Sequence, residues 1–147
     1  MIHIETITTA DQADLSKKDE IASFLFQHLD QYGDPKEDIM KCLDYALTPD
    51  KRRGGGFVVV AREEGNIVGT VVLNETGMSG YIPEYILVYI AVDNSQRGKG
   101  IGKKLMSTAI ENASGDIALH VEPDNPAKKL YESLGFTNKY LEMRLKK

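Results

Sequence analysis

The chain has 147 residues, with 18 Lys and Arg against 22 Asp and Glu, a formal charge of −4, and 41% hydrophobic and 27% charged residues. That is the size and composition of one globular domain with a full core, spanning residues 1–147, which excludes disorder and fibrous repeats. The acidic balance argues against a nucleic-acid binder, which needs a strongly basic face, and the single cysteine, Cys42, suits a reducing cytoplasm.

The start, Met1-Ile2-His3-Ile4-Glu5, lacks the basic and apolar regions of a signal peptide. The β-branched run Ile2 to Ile7 predicts a strand. Ile21, Phe24, Leu25, His28 and Leu29 recur along one face of a helix. A second helix is expected with Asp34 as N-cap, Pro35 at the first position and Glu37 completing a capping box. Its stripe is Ile39, Leu43, Ala46 and Leu47, and Thr48-Pro49 stops it. Arg52-Arg53 before Gly54-Gly55-Gly56 reads as a surface loop. Phe57–Arg62 and Ile67–Leu73 flank the turn Glu63-Glu64-Gly65-Asn66 and predict a hairpin.

Tyr85 to Val92 is apolar throughout, so it predicts a central strand covered on both faces. It is the longest apolar run and far short of the roughly 20 residues of a membrane span. A helix from Ile101 is expected to bury Leu105, Ala109 and Ile110. A strand Ile117–Glu122 follows, then a helix with Ala127, Leu130, Tyr131 and Leu134 on one face. Asn125 caps it, Pro126 opens it and Gly135 closes it. The alternation from Tyr140 to Leu145 predicts a last strand. The order implies a mixed α/β sandwich: a mostly antiparallel sheet containing a parallel pair.

Between a buried strand and a helix stands Arg97-Gly98-Lys99-Gly100-Ile101-Gly102-Lys103-Lys104. Amides at the start of a helix have no intrahelical acceptor, and the helix end adds about half a positive charge. Glycines let the backbone approach a ligand closely. With four cationic side chains around it, the turn predicts a phosphate or pyrophosphate site. The spacing fits neither a nucleotide-triphosphate loop, which also needs a hydroxyl for magnesium, nor a dinucleotide fingerprint.

Arg97-Gly98-Lys99-Gly100-Ile101-Gly102 resembles the hallmark Arg/Gln-x-x-Gly-x-Gly/Ala of the GNAT superfamily of N-acetyltransferases. Downstream, Asn125-Pro126-Ala127-Lys128-Lys129-Leu130-Tyr131-Glu132-Ser133-Leu134-Gly135-Phe136 is similar to the family's Asn-x-x-Ala-x-x-Leu-Tyr-x-x-x-Gly-Phe. The resemblance implies a twisted, mostly antiparallel sheet with helices on both faces and a central parallel pair, Tyr85–Val92 and Ile117–Glu122, splayed around acetyl-CoA. It implies that amides from Arg97 through Gly102 hold the pyrophosphate, flanked by Lys103. Ile90, Ala91 and Val92 would pair with the pantetheine arm, and an amide near Ile90 would face the thioester carbonyl. Asn125 and Lys128 would flank the CoA arm, and Tyr131 would be the general acid for the departing thiolate.

The family's histone-acetylating branch carries a glutamate where this chain has Ile86. Glu84, two residues earlier on the same strand face, is therefore the candidate catalytic carboxylate, and Glu75 a second; a water chain is an alternative. His3, His28 and His120 show no paired ligand spacing, so no metal is expected. His120 lies near the implied gap, and a hydrogen-bonded structural role is expected for it. Cys42 reads as an apolar filler. The acidic Asp30, Asp34, Glu37 and Asp38 fall where the family builds its acceptor pocket.

The function implied is acetyl transfer from acetyl-CoA to an amine, on a small molecule or a protein, without a membrane and without nucleic acid. Two alternatives stay open: a non-catalytic acyl-CoA-binding module, and an aminoacyl-tRNA-acetylating toxin, against which the acidic balance argues. Family members often dimerise, and a homodimer is compatible with the sequence, although no segment marks an interface.

Overall fold

The computed structural model describes residues 1–50 and 54–147, so the Arg52-Arg53 stretch lies outside the described residues. The elements run β1 (Ile2–Thr8), α1 (Leu15–Leu29), α2 (Lys36–Leu47), β2 (Gly56–Glu63), β3 (Asn66–Glu75), β4 (Tyr85–Val92), α3 (Ile101–Asn112), β5 (Ile117–Leu119) and α4 (Ala127–Ser133). The strands lie side by side in chain order, antiparallel from β1 to β4 and parallel between β4 and β5. The expected mixed sheet is therefore present. No helix among the described residues is long and apolar enough to cross a membrane.

The central strands are buried on both faces, which explains their β-branched, nearly continuous apolar sequence; Val58 to Ala61 are fully buried. One face packs against α1 and α2 through Ile21, Leu25, Ile39 and Leu43. The other packs against α3 and α4 through Ile101, Leu105, Met106 and Tyr131. Gly69 of β3 sets how closely α3 approaches. A Cβ there would come within 2.9 Å of Leu105 Cδ1 and 3.0 Å of Ile101 Cγ2, so glycine lets the helix start rest on the sheet.

A bulge divides β4. Val72 pairs with Tyr89 and Leu73 with Leu87, so Val88 is an extra residue on β4. Tyr85 and Leu87 consequently enter the α3 core, whereas Tyr89 and Ala91 enter the α1–α2 core. Bulges bend and overtwist the strand that carries them. Beyond this one, β4 parts from β5: their pairing ends at Leu87–Leu119.

Several expectations are corrected. The capping box of α2 does not form: Pro35 occupies the cap, no side chain caps the helix, and Asp34 instead accepts a hydrogen bond from the Tyr89 hydroxyl. β5 stops at Leu119 rather than Glu122, because the neighbour it would pair with has turned away. Ile110 is 40% exposed, and Met106 takes the expected core place. Ile86 of β4 is 36% exposed, so cover on both faces is incomplete at that strand's start. Tyr140–Leu145 forms no strand; every residue from Thr137 to Lys147 is exposed.

Candidate active site

Where β4 and β5 separate, a cavity of about 670 Å³ opens, lined by Leu87–Val92, Asn94, Gln96–Gly98, Gly100–Lys103, His120, Asn125, Leu130 and Tyr131. That volume is typical of a small-molecule site. The edge of β4 facing β5 has no strand partner from Val88 to Val92. An extended ligand can therefore pair with it as an added strand would.

The floor beyond Val92 is made by a short chain reversal. Asp93 accepts from the Ser95 amide at 3.0 Å and its hydroxyl at 2.9 Å, and these bonds hold its carboxyl below the usual range. Gly98 and Gly100 have φ of +87° and +75°, and a Cβ at either would meet nothing within 4 Å. Left-handed backbone, not crowding, therefore demands glycine at both. The first helical hydrogen bond of α3 from outside its span runs from the Lys104 amide to the Gly100 carbonyl, 3.1 Å. The Ile101, Gly102 and Lys103 amides precede it and lack helical acceptors. Arg97 and Lys103 line the cavity beside them.

Tyr131 stands in the opposite wall, 7% exposed, with its ring 5.9 Å from that of Phe136. Burial pushes its hydroxyl up to about 12, so it stays protonated through neutral pH. Asn125 supports this wall by accepting the Ala127 amide at 2.9 Å at the start of α4.

The third wall comes from the α1–α2 connection, where His28, Asp30, Gln31 and Tyr32 face the gap. The Tyr32 hydroxyl reaches the Asp124 carbonyl at 3.4 Å and so ties this wall to the segment after β5. The Tyr89–Asp34 hydrogen bond anchors the start of α2 to β4; burial first, and then the carboxylate, raise the Tyr89 hydroxyl above its ordinary range. Sequence reading noticed the acidic cluster but not this pairing. The hint in the sequence is Tyr89, one of two tyrosines in the otherwise aliphatic β4.

The structure thus gathers Ile90, Ala91, Val92, Arg97, Gly98, Gly100, Ile101, Gly102, Lys103, Asn125 and Tyr131 around one cavity. It does not bring the others there. Lys99 donates to Gln96 at 2.7 Å, and Lys128 pairs with Glu132 at 3.5 Å on the outside of α4. Glu84 lies at the far end of β4, accepting the Asp116 amide at 2.7 Å and the Gly80 amide at 3.0 Å. Those amides, Asp116 first, hold its carboxyl below the usual range. Glu75 lies against Gly54, also away from the gap. His120 does line the gap, exposed, and makes no side-chain hydrogen bond among the described residues, so the expected structural role is not what the structure gives it. Cys42 has its thiol pushed up to about 12 by burial, as a filler would.

A sequence profile of the acetyltransferase (GNAT) domain matches residues 54–138, more than half of the chain. The chain belongs to the GNAT acetyltransferase family. Within the family, it is 35% identical over 88 residues to the N-alpha-acetyltransferase RimI of Mycobacterium tuberculosis, a match covering 58% of this chain and 55% of that protein. The chain spans about half the length of the curated relatives it matches. Among solved structures, the GNAT-family protein SP0256 of Streptococcus pneumoniae superposes with a TM-score of 0.72 at 21% identity, covering 100% of this chain and 98% of that one. An aminoglycoside N-acetyltransferase in complex with CoA superposes with a TM-score of 0.70 at 17% identity, covering 100% and 95%. At these identities the two structures show a shared GNAT fold.

Proposed function

We propose that residues 1–147 act as one N-acetyltransferase domain, moving an acetyl group from acetyl-CoA to an amine by direct attack on the bound thioester. The observation that carries this reading is the meeting of three features in one cavity: the amide cradle at the start of α3, the unpaired edge of β4 and the buried hydroxyl of Tyr131. The pyrophosphate would rest on amides from Gly98 to Lys103, with Arg97 and Lys103 neutralising it. The pantetheine arm would run along Ile90–Val92, with Asn125 beside it, and an amide near Ile90 would receive charge developing on the thioester oxygen.

An alkylammonium must lose a proton before its nitrogen can attack. His120 lines the gap with no side-chain hydrogen bond among the described residues, and on this reading it accepts that proton and passes it to water. The C–N bond then forms and the C–S bond breaks. The nitrogen, now bonded to the acetyl carbon, gives its second proton to water, while the departing thiolate takes the Tyr131 proton, which solvent later restores. Glu84, committed to two backbone amides, serves on this reading as a clamp between the β3–β4 connection and the entry to β5. Asp30 and the nearby Asp34 make the acceptor side acidic, which favours a cationic amine, on a small molecule or a protein, over a polyanionic nucleic acid. A cytoplasmic setting, with its acetyl-CoA and reduced thiols, agrees with the unpaired Cys42.

Calorimetric titration of acetyl-CoA tests the reading. Wild type is expected to bind, and Gly100→Glu to lose binding while keeping its circular dichroism, because a carboxylate enters the cradle at a left-handed position. Absence of binding by wild type overturns the proposal. Release of free CoA in the presence of an amine panel then reports turnover.

A further inference from the structure

The gap between β4 and β5 is bridged on one face by a short stretch of chain. The Tyr89 hydroxyl of β4 donates to Asp34, and two residues before Asp34 the Tyr32 hydroxyl donates to the Asp124 carbonyl beyond β5. The segment between those two tethers therefore spans from one strand of the gap to the exit of the other. Asp124 is a fixed post, because it lies in a turn closed by the Asn125 amide on the Glu122 carbonyl at 3.0 Å. Asp30, Gln31 and Tyr32 line the cavity on this side, as Tyr131 does in the wall opposite. An extended ligand lying along the β4 edge is enclosed between the two.

The tethers are unequal. Tyr89 is 7% exposed, so its bond to Asp34 is sheltered at the donor end. The Tyr32–Asp124 bond is exposed and, at 3.4 Å, is longer than the roughly 2.7–2.8 Å of a well-made hydroxyl bond. The strap is also sharply bent at its root. Asp30 has φ +54° and ψ −125°, backbone that glycine adopts freely and aspartate does not. Such strain persists where neighbouring contacts hold it. Here they are the packing of Leu29 before it and the two tethers after it. A strained root and one weak tether make a strap that opens at Tyr32.

We propose that Tyr32 is a positioning residue of the transfer site: its hydroxyl, drawn onto the Asp124 carbonyl, latches the Asp30–Asp34 strap across the gap over bound acetyl-CoA. The inference rests on the proposed function, which puts the pantetheine arm and the thioester beneath the strap. Latched, the strap retains the acyl donor until an amine arrives and keeps bulk water from the thioester carbon. Unlatched, it lets acetyl-CoA enter and CoA leave between the strands. Tyr32 touches no reacting atom and acts through the segment it fixes.

Rapid-mixing measurement of acetyl-CoA dissociation from the 147-residue chain tests the latch. Tyr32→Phe removes one hydroxyl and keeps the ring, so circular dichroism and melting temperature should stay close to wild type. Acetyl-CoA should nevertheless dissociate about five- to tenfold faster. Without an amine, the variant should also hydrolyse the thioester to acetate and free CoA faster than wild type does. Tyr89→Phe frees the other end of the same strap, so the double variant should gain much less than the product of the two single effects. Should a variant fail to fold, hydrogen exchange on wild type decides alone: amides 30–34 should exchange more slowly with acetyl-CoA bound. A wild type that binds acetyl-CoA but releases it no more slowly than Tyr32→Phe overturns the latch and leaves the proposed function standing. So do strap amides indifferent to the ligand, or single effects that multiply in the double variant. A wild type that binds no acetyl-CoA overturns both.

Discussion

On the proposed function the gap has a cofactor side and an acceptor side, and the two are built in opposite ways. The cofactor side is one short stretch of chain, Asp93 to Lys103, held by its own hydrogen bonds and two left-handed glycines, with cations at its rim. The acceptor side is assembled from His28–Tyr32, Tyr89 and His120, which meet only because α1, β4 and the end of β5 converge. Its one lining carboxylate, Asp30, shares the cavity with Arg97 and Lys103. A self-contained loop presents fixed amides to one unvarying group, whereas a wall of separate segments can change residue by residue while the fold stays intact.

The sharpest way to break this comparison acts on the chemistry between the two sides. Tyr131→Phe and His120→Gln should each lower kcat by about 100- to 10,000-fold while the calorimetric affinity for acetyl-CoA stays within a few-fold of wild type. The Tyr131 hydroxyl, raised to about 12, does not ionise in the assay range, so a fall in rate between pH 8 and 10 would have to come from another group. If both variants turned over normally, the acid–base assignments would be wrong.

A smaller effect separates the walls. Asp30→Asn should raise the KM of a cationic amine by roughly fivefold and leave acetyl-CoA affinity alone, whereas Arg97→Ala should weaken acetyl-CoA by a similar factor and leave the amine KM alone. High salt should shrink both effects, because both groups are exposed. Crossed responses would show that one ligand occupies both sides.

The smallest effect concerns Glu84. Its carboxyl is held below the ordinary range by the Asp116 and Gly80 amides, so the folded state binds its proton less readily than the unfolded chain does. The stability it contributes is therefore present above the ordinary carboxylate pKa and is lost as pH falls through the depressed folded value. Glu84→Gln should have a lower melting temperature than wild type at neutral pH, and the gap should narrow as the solution is acidified. A difference independent of pH would mean that the clamp is not electrostatic.

The parts of the molecule that were legible in the sequence are those whose cause lies within a few residues. The glycine turn, the β2–β3 hairpin with its positive φ at Glu64 and Gly65, and the start of α4 at Asn125 all carry local signals. The features that escaped depend on a distant neighbour. Asp34 has the chemistry of a helix cap, but the Tyr89 hydroxyl claims its carboxylate across 55 residues of sequence. Val121 and Glu122 continue the strand pattern of β5, yet β4 bends away before it can pair with them. Glu84 reads as a candidate base from its place on the strand, and only the fold brings the Asp116 amide to it. Ile110 and Met106 lie near the border of the α3 stripe, where sequence periodicity alone does not fix which one the sheet covers.

The extra residue at Val88 has a consequence for how this strand tolerates change. Tyr85 and Tyr89 are four positions apart and would point the same way in a regular strand, yet they belong to opposite cores. The parity of β4 thus switches once along its length, and each half of the strand is matched to a different pair of helices. Deleting Val88 would restore uniform parity and regular pairing, but it would turn either Tyr85 and Leu87 or Tyr89 and Ala91 toward the wrong helices. Closing the gap between β4 and β5 by repairing the strand would therefore cost the chain one of its two cores, so the irregularity that opens the cavity is locked in by the packing on either side of it.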